Sequence, residues 1–137
     1  MLTGPQQGPI TRYNKNNQRD HPMRKIEVQT ISAIANRRNF KSANTQVVSD
    51  GINATVYLHG HEIAKVYPMG EGTVLELAWL TDQHFSRTTF SRQNALLRQF
   101  VGAGPRVFTK KHQPCLEKRY GLGINELETG DRYTFSI

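Results

Sequence analysis

The sequence lacks the features that would place it in a membrane or outside the cell. It contains one cysteine, Cys115, so no disulfide can form within the chain. No apolar run approaches the roughly 20 residues that a membrane-spanning helix requires. The first 22 residues also lack the continuous apolar stretch of a secretion signal. We therefore expect a protein that stays in a reducing cytoplasm and has no membrane partner.

The sequence also lacks the motifs that bind nucleotide phosphates or supply a catalytic nucleophile. Gly121-Leu122-Gly123 would need a third glycine three residues later, where the chain has Glu126. Cys115 follows His112 by three residues, but a catalytic thiol needs a base that the fold brings to it. We predict that Cys115 is a small buried residue, and that the protein has no catalytic residues and no cofactor.

One short motif favours a metal site. His59-Gly60-His61 could place two imidazoles near each other, with His84 or Cys115 as further ligands. Zinc, however, takes three or four protein ligands that converge, and a glycine between the two histidines indicates a turn. We therefore predict a turn in which hydrogen bonding holds His59, and no metal site.

Positive charge is concentrated in two segments of a chain whose net charge is +7. Residues 1–41 carry eight Lys or Arg against two acids, and residues 87–120 carry eight against one. Residues 42–86 and 121–137 are acidic, with five acids against one base and three against one. Since a solvated surface normally mixes the two signs, this segregation indicates a polyanionic partner, either nucleic acid or an acidic protein face.

Residues 1–22 differ in composition from the rest of the chain. They hold three of the six prolines, much Gln and Asn, and few sizeable apolar side chains. Such a segment buries too little surface to offset the entropy lost when it becomes ordered. We interpret residues 1–22 as a flexible basic arm and residues 23–137 as a single domain.

The domain begins with the pattern of a helix and continues with the pattern of strands. Val28, Ile31, Ile34 and Ala35 recur at helical spacing, which predicts an amphipathic helix over residues 24–38. Alternating apolar residues then predict strands near 47, 54–58, 63–66 and 74–77. The turn sequences between them are too short for parallel crossovers, so the strands form an antiparallel meander. The turns are Asp50-Gly51, His59-Gly60 and Gly70-Glu71-Gly72.

A second amphipathic helix is predicted near residues 90–101. Thr88 or Thr89 could cap its start, and Gly102-Ala103-Gly104-Pro105 would end it. Short strands are expected at 106–109, 114–118 and 132–137, with a loop over 121–130. The fold class is therefore α+β, with an N-terminal helix, a small antiparallel meander of about five strands and the second helix.

The second helix carries the predicted binding site. Arg92 and Arg98 are expected to project from its polar face, and Arg87 precedes it. Free amides near Thr89 and Phe90 would add an anion site at the helix start. A solubilising face would explain the same pattern without a ligand.

Further basic residues extend this predicted site. They are Arg106, Lys110, Lys111, Lys118 and Arg119 in the segment after the helix, and Arg12, Lys15 and Arg19 in the arm. Tyr13, Phe108 and Tyr120 lie among them and could stack on unpaired bases, as in single-strand binders. We expect Trp79 to be a core residue, and Asn44 and Asn94 to have structural roles.

Three segments together resemble a family of small proteins of tailed bacteriophages. They are Asn44-Thr45-Gln46-Val47, Val56-Tyr57-Leu58-His59-Gly60-His61-Glu62-Ile63-Ala64, and Thr88-Thr89-Phe90-Ser91-Arg92-Gln93-Asn94-Ala95-Leu96-Leu97. The resemblance spans about residues 24–107. It implies a shared fold rather than a shared activity, and a phage accessory protein made in the cytoplasm of an infected bacterium.

The favoured function is non-catalytic binding of DNA or RNA through the basic segments. An inhibitor or adaptor that binds an acidic surface of a host protein would need the same cations. A minor virion component, with the arm ordered by neighbouring subunits, is the third alternative.

Overall fold

The computed structural model of the protein describes residues 23–119 and 123–137. These residues form two helices and nine strands, with five strands and a short 3-10 helix at Asp82–Phe85 between the two helices and four strands after the second. The helices are α1 (Lys25–Ala35) and α2 (Arg87–Phe100). The strands are β1 (Phe40–Ser42), β2 (Thr45–Ser49), β3 (Ala54–Leu58), β4 (His61–Met69), β5 (Gly72–Trp79), β6 (Arg106–Lys110), β7 (Gln113–Glu117), β8 (Ile124–Glu126) and β9 (Asp131–Ser136). The predicted arm, residues 1–22, lies outside the described residues.

The strands form two antiparallel sheets. The first sheet has the order β1-β2-β3-β4-β5-β9, so that five consecutive strands make a meander and the last strand of the chain closes its edge. The second sheet has the order β6-β7-β8. The predicted α+β class with an antiparallel meander is confirmed. Two short strands were not predicted, because β1 contains one apolar residue and β8, inside the expected loop, is exposed throughout.

The turns of the meander follow the sequence closely. His59 and Gly60 connect β3 to β4, and both have positive φ angles, of 53° and 82°. Positive φ at both positions gives a two-residue turn the twist that matches the flanking strands. In the turn after β2, the Asp50 carboxylate accepts hydrogen bonds from the amides of Ile52 and Asn53, which lower the pKa of Asp50.

The two helices pack against the first sheet through faces that are partly polar. The buried residues of α1 are Glu27, Thr30, Ala33 and Ile34. The predicted apolar stripe is therefore wrong for Val28, which is 52% exposed, and for Ala35. The helix also ends earlier than predicted, since Arg37 has a φ of 55° and leaves the helical conformation.

Helix α2 starts earlier than the sequence predicts. It begins at Arg87, and its N-cap is Ser86, whose hydroxyl accepts a hydrogen bond from the Thr89 amide. Capping by Thr88 or Thr89 is thus wrong. A serine at this position satisfies an amide that the first turn leaves without a partner.

Gln93 on α2 ties the helix to the centre of the first sheet. Its side-chain nitrogen donates to the carbonyls of Ile63 on β4 and Ala78 on β5, and its oxygen accepts from the Trp79 indole at 2.9 Å. Gln93 and Trp79 are both fully buried. The prediction that Trp79 is a core residue is confirmed.

Asn94 joins α2 to the second sheet. Its amide donates to the carbonyl of Val107 at 2.9 Å and its oxygen accepts from the Val107 amide at 2.8 Å. The side chain thereby takes the place of a neighbouring strand at the edge of β6. The expected structural role of Asn94 is confirmed, and neither helix of the described chain is long and apolar enough to cross a membrane.

Candidate nucleic-acid interface

Arg92 faces the interior and not the solvent. It is 5% exposed, and its guanidinium forms an ion pair with Glu27 of α1 at 2.8 Å. Its Nε also donates to the Thr45 hydroxyl at 3.2 Å. The prediction that Arg92 projects outward to bind phosphate is wrong, because the helix is held through this pair and the charge is neutralised inside the protein.

The predicted anion site at the start of α2 is also wrong. The amides of Thr89 and Phe90 donate to the side chain and the carbonyl of Ser86, at 3.1 Å and 3.0 Å. Both residues are buried. The N-cap has therefore already satisfied the two donors that a phosphate would need.

Arg106 is exposed but partly engaged within the protein. Its Nε contacts a Glu117 carboxylate oxygen at 3.0 Å, across the base of the β6–β7 hairpin. The guanidinium carbon lies 4.2 Å from the centre of the Phe108 ring. Arg106 thus lies over one face of the aromatic ring that could have stacked on a base, and its own charge is paired with Glu117.

Lys110 and Lys111 lie at the tip of the same hairpin. Lys111 and His112 form its two-residue turn with φ angles of 51° and 68°, although neither is glycine. The three side chains are exposed. The hairpin therefore projects two lysines that form no ion pair with a described carboxylate.

A groove of about 620 Å³ lies beyond the end of α2. It is lined by Val101, Gly104 and Pro105 after the helix, by Lys118 and Arg119 after β7, and by Phe135 and Ser136 on β9. Its floor is mostly apolar, and its two charged residues are cations. The Lys118 ammonium also lies 5.0 Å from the centre of the Tyr133 ring. Three segments distant in sequence thus form one basic groove.

The opposite charge is found on the first sheet. Arg132 contacts Glu76 at 2.5 Å and Glu62 at 3.2 Å, and the Tyr67 hydroxyl donates to Glu76 at 2.9 Å. Burial raises the pKa of Glu76. The hydrogen bond and charge of Arg132 and the hydrogen bond of Tyr67 lower this pKa by more than burial raises it, so it lies below its usual value. Since two carboxylates share one arginine, this network is net negative and is not a cation surface.

The described histidines do not converge on a metal site. Within residues 23–119 and 123–137 there is no group of three or more side chains that could hold a metal ion. His61 and His84 are in edge contact, with ring centres 5.6 Å apart. His84 Nδ1 accepts a hydrogen bond from the Leu80 amide, so its proton lies on Nε2, the nitrogen that a metal would need.

One comparison with known proteins identifies a family. The model of the Kyanoviridae Gp96 protein family matches residues 23–134. The chain belongs to this family. The expected phage origin is therefore confirmed, while the family description names no ligand. No curated protein and no solved structure matches the chain.

The predicted site residues of this phage protein are spread over its surface. Arg87 and Arg98 are exposed on α2, whose 14 residues span about 20 Å at 1.5 Å per residue. The groove lies beyond the C-terminal end of that helix, so Arg87 is about 20 Å from it. Of the predicted cations, Lys118 and Arg119 line the groove and Lys110 and Lys111 lie at the hairpin tip, and each pair consists of neighbours in the sequence. Arg12, Lys15, Arg19, Tyr13 and Tyr120 lie outside the described residues.

Sequence reasoning missed the uncharged part of the groove. Val101 and Pro105 were interpreted only as the end of a helix, and Phe135 and Ser136 only as a strand. No local pattern marks these residues as neighbours, because they meet through the closure of the first sheet by β9. Among the residues that line the groove, only the basic pair Lys118-Arg119 was predicted from the sequence to bind a partner.

Proposed function

We propose that this Gp96-family protein is a non-catalytic phage accessory protein that binds nucleic acid. The binding surface is the groove, with Lys118 and Arg119 as its phosphate contacts, and the hairpin tip, with Lys110 and Lys111. Arg92 and Arg106 are not part of it, because carboxylates of the protein already neutralise them. The observation that carries the proposal is the combination of an apolar floor with two cations in one groove.

The charge balance of this region supports the proposal. Lys110, Lys111, Lys118 and Arg119 are exposed and form no ion pair with a described carboxylate. By contrast, the described carboxylates Glu62 and Glu76 share one arginine on the first sheet. Unpaired cations attract phosphates and release their counterions, which is the main source of affinity for nucleic acids.

The same cations could bind an acidic face of a host protein, as the sequence also allowed. The apolar floor favours nucleic acid, because a nucleotide offers a flat apolar base next to its phosphate. A nuclease-treated pull-down from infected cells tests the alternative. Recovery of one host protein, together with no affinity of the purified chain for oligonucleotides, would overturn our proposal.

The direct test is the salt dependence of oligonucleotide binding, measured by fluorescence anisotropy. Each phosphate contact contributes a slope of about −0.7 to log K against log salt for a single strand, and about −0.9 for a duplex. The double variant K118Q/R119Q should lower the affinity and reduce the steepness of the single-strand slope by about 1.4. A flat salt response of the unmodified protein would contradict the proposal.

The matched control is K25Q/K41Q. Both lysines are exposed and lie on α1 and β1, outside the groove and the hairpin tip. The control removes the same net charge, so it separates a local phosphate contact from the general attraction of a basic protein. Its slope should stay close to that of the unmodified protein, and an equal reduction in both variants would argue against the groove.

A further inference from the structure

Strand β9 lies at the edge of the first sheet, and some of its main-chain amides and carbonyls form no hydrogen bond with a described residue. It is bonded to β5 on one side. The Ile137 amide donates to the carbonyl of Thr73, the residue directly opposite it on the neighbouring strand. In an antiparallel pair the main-chain groups of alternate residues face the partner, so those of Ile137, Phe135 and Tyr133 point toward β5. The amides and carbonyls of Arg132, Thr134 and Ser136 therefore point away from the sheet.

Ser136 belongs both to this open edge and to the groove. Ser136 thus brings the open edge of β9 to one wall of the groove. Val101 and Pro105 supply apolar surface, and Lys118 and Arg119 supply positive charge. Its volume of about 620 Å³ is within the range of small-molecule sites, and is large enough for a nucleobase with its sugar.

We propose that the groove binds an unpaired nucleobase, so that the protein prefers single-stranded to double-stranded nucleic acid. The Ser136 amide and carbonyl pair with the hydrogen-bonding edge of the base, while its flat face lies on the apolar floor. Lys118 and Arg119 contact the phosphates on either side. This inference rests on the proposed function and adds the class of nucleic acid.

The geometry disfavours a duplex because of where the polar groups lie. In a duplex the Watson–Crick edge of each base is already paired, and the base face is covered by its neighbours in the stack. An unpaired base offers both surfaces at once. A duplex could reach only the two cations, and it would leave the donor, the acceptor and the apolar floor of the groove unused.

The experiment compares one labelled strand of about 12 nucleotides with its own duplex, at equal salt and by the same anisotropy measurement. A strand of this length covers one site, since small single-strand-binding domains contact about 4 to 16 nucleotides. We expect the single strand to bind at least about tenfold tighter, which corresponds to the stacking of one base. This comparison requires no variant, so it does not depend on the folding of one.

Two variants then test the role of the edge. S136P removes the outward amide without removing a bond to β5, and proline is tolerated on edge strands. S136A keeps the amide and serves as its control. S136P should lower single-strand affinity by about fivefold, the effect of one lost hydrogen bond, and leave duplex affinity unchanged, while S136A should bind like the unmodified protein.

The outcomes separate this inference from the proposed function. If the single strand and the duplex bind equally well, and both bind in a salt-dependent manner, the inference is overturned while the proposed function stands. If neither binds in a salt-dependent manner, both are overturned. If S136A loses as much single-strand affinity as S136P, the main-chain contact is wrong, because only S136P has lost the amide.

Discussion

Glu27 and Arg92 form an ion pair that joins the two helices inside the protein. The Arg92 Nη1 and a Glu27 carboxylate oxygen are 2.8 Å apart, and the two side chains are 6% and 4% exposed. The same oxygen accepts a hydrogen bond from the Ser91 hydroxyl, and the other carboxylate oxygen accepts one from the Arg24 amide. With Thr45 on the guanidinium, the pair connects α1, α2 and β2.

Removal of one member of this pair should destabilise the protein strongly. E27Q keeps the shape of the side chain but leaves the Arg92 charge buried without a counterion. We expect the free energy of unfolding to fall by about 3 kcal/mol or more, as for other buried pairs that lose one partner. Urea denaturation followed by the fluorescence of Trp79, the only tryptophan, measures the loss.

Two controls accompany this measurement. R106M breaks an ion pair whose arginine side chain is 55% exposed, so it should cost about 1 kcal/mol or less. E27L/R92M replaces both charges by apolar groups and should cost less than E27Q, since no unpaired charge remains. If E27L/R92M loses as much as the sum of the losses in E27L and in R92M, the two charges act independently.

This ion pair explains why the sequence predicted the helices but not their buried faces. Apolar spacing was enough to locate α1, and it identified Ile34 as buried. It could not identify Glu27 and Thr30, because a polar residue normally indicates a solvent-facing position. The same rule assigned Arg92 to the surface. Each charge is buried only because the other is present, and the two lie 65 residues apart in the sequence.

The sheets were predicted better than the binding site for a related reason. A meander is determined by local alternation and by turns such as His59-Gly60, which a single sequence displays. The groove instead combines Pro105, Lys118 and Ser136, which come together only when β9 pairs with β5. Basic composition led us to expect a polyanionic partner, and tertiary structure determines which of the described cations the protein's own carboxylates already pair.

His84 should make the stability of the protein depend on pH. Burial lowers the pKa of His84 below its ordinary value of 6.5, the charge of His61 lowers it further, and Glu62 raises it to a smaller extent. Nε2 is buried and has no hydrogen-bond partner. Above pH 6.5 both the folded and the unfolded states are neutral at this residue. As the pH falls from there toward the folded pKa, only the unfolded state takes up the proton, so stability decreases.

Between the two pKa values, the slope of this loss lies below about 1.4 kcal/mol per pH unit, which is the full effect of one proton. The difference in unfolding free energy between the unmodified protein and H84N, measured over that range, isolates this residue. Asparagine can still accept the hydrogen bond from the Leu80 amide but does not titrate. H112N, at an exposed turn where asparagine tolerates the positive φ, should keep the slope. An equal slope in H84N would assign the dependence to other groups.

Gln93 provides the third test, because its one side chain satisfies three buried groups. Q93L would leave the Trp79 indole donor and the carbonyls of Ile63 and Ala78 without their present partners. Each buried polar group that loses its partner costs about 1 to 3 kcal/mol, so we expect a loss of about 3 kcal/mol in the free energy of unfolding. Q99L, at an exposed position of the same helix, should change the free energy of unfolding by about 0.5 kcal/mol or less.

If Q93L is as stable as Q99L, the carbonyls of Ile63 and Ala78 must find other donors. The hydrogen bonds of the Gln93 side chain would then add nothing to the attachment of α2 to the sheet.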